Sequence, residues 1–350
     1  MLLIVALMTS SIISWAIIQL SKTKNWFVSD GDLQGVQKFH KELTPRIGGL
    51  SILVAFSTAL FLTESWSNLL LVLWLSSMPV FIAGIYEDLS AKVPPLIRLI
   101  SAFFSIAIAF VWLDVRIDSL GFEWIDYVLS NYTIISLLFT LLIIGGAVNS
   151  LNIIDGFNGL LGGYSILASL AMAYVAHALG DELILQLSLI LATSVFGFFI
   201  FNFPFGRIFM GDGGAYFTGF MMAVIGLMLG NRNEEVSHWF ILLLFIYPLY
   251  ETIFSIYRKK IVRNTSPSQP DGYHLHMMIY KRLIKRKFFK NNKTMQNSMT
   301  SPFLWALSLV GIIPAVIWYD NQIMLIIWAF IFMIIYTIFY RRIVHFKFKR

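Results

Sequence analysis

Long runs of apolar residues separated by short polar breaks set the pattern of this chain from its first residue to about residue 340. A helix that crosses about 30 Å of hydrocarbon needs roughly 20 such residues. Eleven stretches approach that length, near 1–20, 47–64, 69–86, 97–113, 132–149, 158–177, 184–202, 214–230, 238–257, 302–319 and 322–340. They lack the two-residue alternation over about ten residues that marks the strands of a membrane barrel. The pattern predicts an all-α polytopic membrane protein with about 11 transmembrane helices. The first run has no basic residue ahead of it and is followed by Lys22 and Lys24, which predicts a retained span and not a cleaved signal. One integral-membrane catalytic domain over 1–350 is expected, with a basic cytoplasmic loop at 258–301.

Composition agrees: of 350 residues, 58% are hydrophobic and 13% charged, too apolar for a soluble domain of this size. Lysine and arginine in short loops set orientation, and here the partition is one-sided. Alternate loops at 21–46, 87–98, 258–300 and 341–350, with Arg207, hold 24 of the 26 basic residues. Only Arg116 and Arg232 fall on the other side. The N-terminus is therefore expected outside and the C-terminus inside, and the net charge of +7 reads as a topology signal. Nucleic-acid binding is not expected. The chain has no cysteine, which excludes disulfides and thiolate metal sites.

Polar residues at the basic ends of the apolar runs carry the candidate chemistry. Glu87 and Asp88 close the third run in "GIYEDL", Asp155 follows the fifth, and Asp212 opens the eighth in "FMGDGGAYFTG". Carboxylates at successive helix ends on one side can converge on one cavity, and hard oxygen ligands suit Mg²⁺. Helix capping is the competing reading for each singly, but adjacent acids at a helix C-terminus oppose the macrodipole. Gly211, Gly213 and Gly214 allow close backbone approach. In "HKELTPRIGGL", Lys41 and Arg46 suit a diphosphate clamp, with snorkelling as the alternative for Arg46. The loop at 258–301 carries Arg263, Asp271, His274 and His276. Two histidines two apart do not share a helical face, so they read as anion-binding residues and not as a metal pair. Glu251, inside the ninth run, is an intramembrane ionisable residue and hence a functional candidate. "NSLNIIDGFNGL" places Asn149, Asn152, Asp155 and Asn158 three apart, with Asn149 read as a packing residue.

Five motifs in order, "KELTPRIGG", "GIYEDL", "NIIDGFNGL", "FNFPFGRIFMGDGGAYFTG" and "DGYHLHMMIY", with "PLYETIFSIYRKK" between the last two, resemble the polyprenyl-phosphate N-acetylhexosamine-1-phosphate transferases, glycosyltransferase family 4. The resemblance covers nearly the whole chain. It implies transfer of a sugar 1-phosphate, of the N-acetylhexosamine class, from a UDP-sugar to undecaprenyl or another polyprenyl phosphate. The products are polyprenyl-diphospho-sugar and UMP, the cofactor Mg²⁺ with Mn²⁺ as a substitute, and the step initiates O-antigen or another cell-envelope polysaccharide. Carried over by motif, Asp88 deprotonates or positions the lipid phosphate, with Glu87 and Asp155 as catalytic neighbours. Asp212 matches the Mg²⁺ ligand, Asn152, Asn202 and Phe209 match nucleoside-site positions, and Lys41, His274 and His276 lie near the diphosphate. Glu87 stands where the usual pair has aspartate, Asn158 replaces a second aspartate, and Met277 interrupts a histidine run; Asn158 is thereby the position expected to bear on sugar choice. The partners implied are a UDP-sugar, a polyprenyl phosphate and the membrane, with a homodimer left open. The location implied is the bacterial cytoplasmic (inner) membrane, active site facing the cytoplasm. A polytopic transporter or flippase is the alternative class; it places ionisable residues near helix midpoints, whereas here they gather at helix ends.

Overall fold

A computed structural model describes residues 1–24, 44–63, 67–264, 266, 272–285 and 292–345. Lys41 and Asp271 lie outside the described residues. Those described form helices α1 (Leu2–Lys24), α2 (Gly48–Phe61), α3 (Asn68–Ser90), α4 (Pro95–Leu113), α5 (Glu123–Asn131), α6 (Thr133–Ile154), α7 (Leu160–Leu179), α8 (Glu182–Asn202) and α9 (Gly211–Arg232). They continue with α10 (His238–Leu244), α11 (Ile246–Tyr257), α12 (Leu275–Ile279), α13 (Lys293–Ser298), α14 (Ser301–Ile317) and α15 (Gln322–His345), and no strand occurs among them. Nine helical stretches are long and apolar enough to cross a membrane, counting α13 with α14 as one. The protein is therefore an all-α polytopic membrane protein, as the apolar runs require.

Two of the expected spans differ from straight 20-residue rods. The run at 47–64 forms only the 14-residue α2, about 21 Å at about 1.5 Å per residue, short of the hydrocarbon thickness. The run at 238–257 is two helices, α10 and α11 with its π-helical extension to Val262, bent by 68°. Pro248 explains the bend: it has no N–H to offer the carbonyl of Leu244, and its ring crowds that carbonyl. The orphaned oxygen is not left bare in the membrane, because the buried Tyr164 hydroxyl of α7 donates to it at 2.7 Å.

α9 lies at the centre and touches α2, α3, α6, α7 and α8. It is buried along its whole apolar length and α7 along most of its own, and these two are the least hydrophobic of the nine. A helix that faces protein on all sides need not be as apolar as one facing lipid. Close approach at the start of α9 depends on glycine. A Cβ on Gly49 of α2 would stand 2.2 Å from Gly214 Cα, and one on Gly84 of α3 would stand 2.6 Å from Gly213 Cα. Three N-terminal ends, those of α2, α4 and α9, and the C-terminal ends of α3, α6 and α8 thus come to the same side as the basic segments.

Candidate active site

The first turn of α9 is the hub. Gly211 takes a positive φ of 76°, a conformation that favours glycine, and turns the chain so that the next two amides point at α3. Both oxygens of Asp88 accept them: Oδ1 from the Asp212 amide at 2.8 Å and Oδ2 from the Gly213 amide at 2.9 Å. Asp88 thus caps α9 from a neighbouring helix, where a carboxylate meets both orphan N–H groups and the positive end of the dipole. The entry to α2 is fastened to the same turn. Phe209 N donates to Pro45 O at 2.9 Å, Gly48 N to Phe209 O at 2.9 Å and Gly49 N to Met210 O at 2.8 Å.

Asp212 projects from this turn into a half-buried polar cluster. Its Oδ1 accepts from Asn152 Nδ2 of α6 at 3.0 Å, and its Oδ2 forms an ion pair with Arg98 Nη1 of α4. Asp155, one residue beyond α6, lies within the field of Arg46 and Asp212. Burial, with the Asp212 charge adding to it and Arg46 opposing it, pushes the Asp155 carboxyl up to about 7. Arg46 also faces Asp88 electrostatically. Five of the residues singled out from sequence, Arg46, Asp88, Asn152, Asp155 and Asp212, are therefore neighbours in space.

The segment around His274 closes one flank. Glu251 of α11 is fully buried and accepts from His274 Nδ1 at 2.9 Å, Leu275 N at 3.1 Å and Tyr336 OH at 2.6 Å. This anchors His274, whose ring stacks on that of His276 at 5.2 Å. His276 in turn packs edge-on against Phe157 at 5.5 Å, two residues from Asp155. The two histidines thus share one stacked surface, although a helix of 3.6 residues per turn would separate them: His274 is extended and precedes α12. Arg263 stacks over Tyr273 at 3.6 Å, beside the same segment.

Three expected site residues hold the scaffold together instead of facing the cluster. Asn158 is 1% exposed; its amide donates to Asn297 Oδ1 at 2.8 Å and its Nδ2 to Ser298 Oγ at 3.0 Å. Asn202 spends both ends of its side chain on backbone, accepting from Gly159 N at 2.6 Å and donating to Ile208 O at 2.7 Å. Glu87 accepts from Val93 N at 2.7 Å and fixes the turn between α3 and α4, so its hydrogen bond is a turn-forming one. The residue that sequence reading missed is Arg98. Its signal is faint, a charge one turn after Pro94–Pro95 at the carboxylate-bearing ends, where arginine also belongs as an interfacial residue.

The donor set suits a hard cation. Asp212 and Asp155 offer carboxylate oxygen beside the Asn152 amide, and among the described residues no three His, Cys, Asp or Glu side chains cluster closely enough to hold a metal by themselves. That fits an ion which takes one or two carboxylates and completes its shell with phosphate and water, as Mg²⁺ does.

The loop-side ends of the membrane helices thus converge on a half-buried cluster of carboxylates and arginines, an arrangement suited to handling phosphate. The model of glycosyl transferase family 4 matches residues 70–230, the stretch that carries Asp88, Arg98, Asn152, Asp155 and Asp212. A probable undecaprenyl-phosphate N-acetylglucosaminyl 1-phosphate transferase of Bacillus subtilis is 31% identical over 257 residues, 69% of this chain and 66% of the relative. An undecaprenyl-phosphate alpha-N-acetylglucosaminyl 1-phosphate transferase of Thermotoga maritima is 26% identical over 72% of this chain and 73% of its own length. A decaprenyl-phosphate N-acetylglucosaminephosphotransferase of Mycolicibacterium smegmatis is 25% identical over 68% of this chain and 65% of its own. The matches span about two thirds of the length of these relatives. The chain belongs to glycosyl transferase family 4.

Proposed function

We propose that this protein transfers a sugar 1-phosphate, of the N-acetylhexosamine class, from a UDP-sugar to a polyprenyl phosphate, releasing UMP. The observation that carries the proposal is the Asp212 cluster, with carboxylates of α9 and the α6 end, the Arg98 guanidinium and Arg46 gathered beside the ends of membrane helices. The names of the relatives, all N-acetylglucosamine phosphate transferases to polyprenyl phosphates, support it. One diphosphate linkage is exchanged for another, so the protein's task is mainly positioning and charge neutralisation. Asp212, with Asp155 beside it, would hold a divalent cation, Mg²⁺ or Mn²⁺. Bound there, the cation supplies charge neutralisation at the diphosphate and stabilises the departing UMP. Asp88 holds the α9 turn, and so aims Asp212. Arg46 and the His274–His276 surface flank the cluster and bind the anionic substrate. The polyprenyl phosphate reaches the cluster sideways from the bilayer, with its headgroup at the interface.

The excess of lysine and arginine in the loops on this side supports a site that faces the cytoplasm at a bacterial inner membrane, where the product would initiate a cell-envelope polysaccharide. The test offers purified protein a panel of UDP-sugars with polyprenyl phosphate and Mg²⁺, scoring UMP and lipid-linked product. UMP release with at least one UDP-N-acetylhexosamine is expected, and its loss in Asp212→Asn with folding retained. Silence across the panel from well-folded protein would overturn the proposal.

A further inference from the structure

Arg98 stands out in the cluster because its use is incomplete. The side chain is 18% exposed and its partner Asp212 13%. One arm of the guanidinium, Nη1, meets Asp212, while Nε is buried with no hydrogen-bond acceptor. Arginine presents its donors as a fork that matches carboxylate or phosphate in pairs. Here the fork is half engaged, and a buried N–H without an acceptor is destabilising. The other charges near it are Glu87 and the Asp212 carboxylate itself, with the Tyr216 side chain alongside. Asp212 has both oxygens engaged, one by Asn152 and one by Arg98. A divalent cation at Asp212 therefore meets a fixed positive charge on the same carboxylate.

We propose that Arg98 is a transferable counter-ion. It neutralises Asp212 until a divalent cation takes that carboxylate, and it then turns its fork to a phosphate of the anionic substrate. The inference rests on the transferase reading and gives it an order. Arg98 opposes the cation when no phosphate is present, and a phosphate that draws Arg98 away relieves the opposition. Cation and phosphate ligand are then coupled through one side chain, and the coupling is reciprocal.

The direct test is Mn²⁺ binding to purified protein without sugar nucleotide or lipid, read by paramagnetic resonance of the free ion. Arg98→Gln is expected to tighten Mn²⁺ binding about tenfold, Arg98→Lys to stay near the unsubstituted protein, and Arg98→Gln with Asp212→Asn to lose the site. At saturating Mn²⁺, Arg98→Gln is expected to raise the KM for a phosphate-bearing substrate more than its kcat falls. Affinity for Mn²⁺ that is unchanged, weakened or undetectable in Arg98→Gln overturns the inference, as does an unaltered KM for both substrates. Failure of the transferase reading looks different: no UMP from any UDP-sugar, whatever the Mn²⁺ titration shows.

Discussion

At the scale of single residues, Asp155 makes the clearest prediction, because its environment is set against its charge. The native carboxyl keeps its proton up to about 7, whereas the ordinary value, which an unfolded chain would show, is 3.8. Between those values the native state binds more protons than the unfolded one, so stability falls as pH rises through that window and the penalty is complete above it. Asp155→Asn removes the penalty. In chelator-containing buffer its melting temperature should exceed that of the unsubstituted protein at about pH 8 and match it near about pH 4; equal melting temperatures at both would refute the buried-carboxyl account. Asp181, between α7 and α8, runs the other way. Burial raises its pKa, but Arg232 Nε at 2.8 Å, Asn233 at 3.1 Å and the Ile184 amide together bring it below 3.8. Its contribution is present at neutral pH and lost as pH falls through the depressed value. Asp181→Asn should therefore lower the melting temperature at neutral pH and much less in acid. Asn158 belongs to the scaffold, so Asn158→Ala should cost roughly 0.5–1.5 kcal/mol of stability while leaving the ranking of UDP-sugars intact.

Much of the site was legible at this scale, and for a physical reason. Asp88, Asp155 and Asp212 each end or begin a long apolar run, and a carboxylate there has few places to go except a cap or a ligand set. What the residues could not reveal was which of the two each would be. Asp88 became a cap for a helix 124 positions away, and Arg98 found its partner 114 positions away; neither pairing leaves a periodic trace. Asn158 bonds to Ser298, 140 positions away, a pairing that its motif position does not reveal.

At the scale of elements, each of the eleven apolar runs became helical, but among the described residues nine helices are long enough to cross a membrane, or ten if the bent α10–α11 pair counts as one. The run at 47–64 contains Gly48 and Gly49, whose amides bond to Phe209 and Met210, so the helix starts with those two N–H groups satisfied, and its shortfall lies at the far end, where it stops at Phe61. The bend at Phe245 has its cause in Pro248, visible in sequence, and its remedy in Tyr164, which is not. Tyr164→Phe leaves the Leu244 carbonyl without its donor and should cost roughly 1–3 kcal/mol, seen as a lower melting temperature in detergent. The glycine seam predicts a sharper loss. Gly49→Ala and Gly84→Ala each place a methyl inside van der Waals contact with α9, at a cost of roughly 1–3 kcal/mol for overpacking. Because the seam carries the Asp88 cap and Asp212, UMP release should fall further than stability does; variants that keep full turnover would separate the seam from the site.

At the scale of the whole molecule, the absence of cysteine makes orientation directly measurable. A single cysteine at Glu123, which is exposed at the start of α5, and another at Lys293, exposed at the start of α13, should be labelled by a membrane-impermeant maleimide from opposite sides. Glu123→Cys is expected to react in intact cells and Lys293→Cys only after lysis. The reverse result would invert the topology and move the Asp212 cluster away from cytosolic nucleotides.

The enclosure of α9 bears on how the chain is built. Segments enter a bilayer from the ribosome roughly in order, each judged by its own affinity for lipid. A helix rich in glycine that never touches lipid is a weak candidate on that criterion, so its seat must be in place before it arrives. α2, α3 and α6, which line that seat, all precede α9 in the chain. A reporter fused after Arg232 should show membrane integration in the full chain and lose much of it when residues 1–154 are deleted, whereas the same deletion should leave α15 inserted.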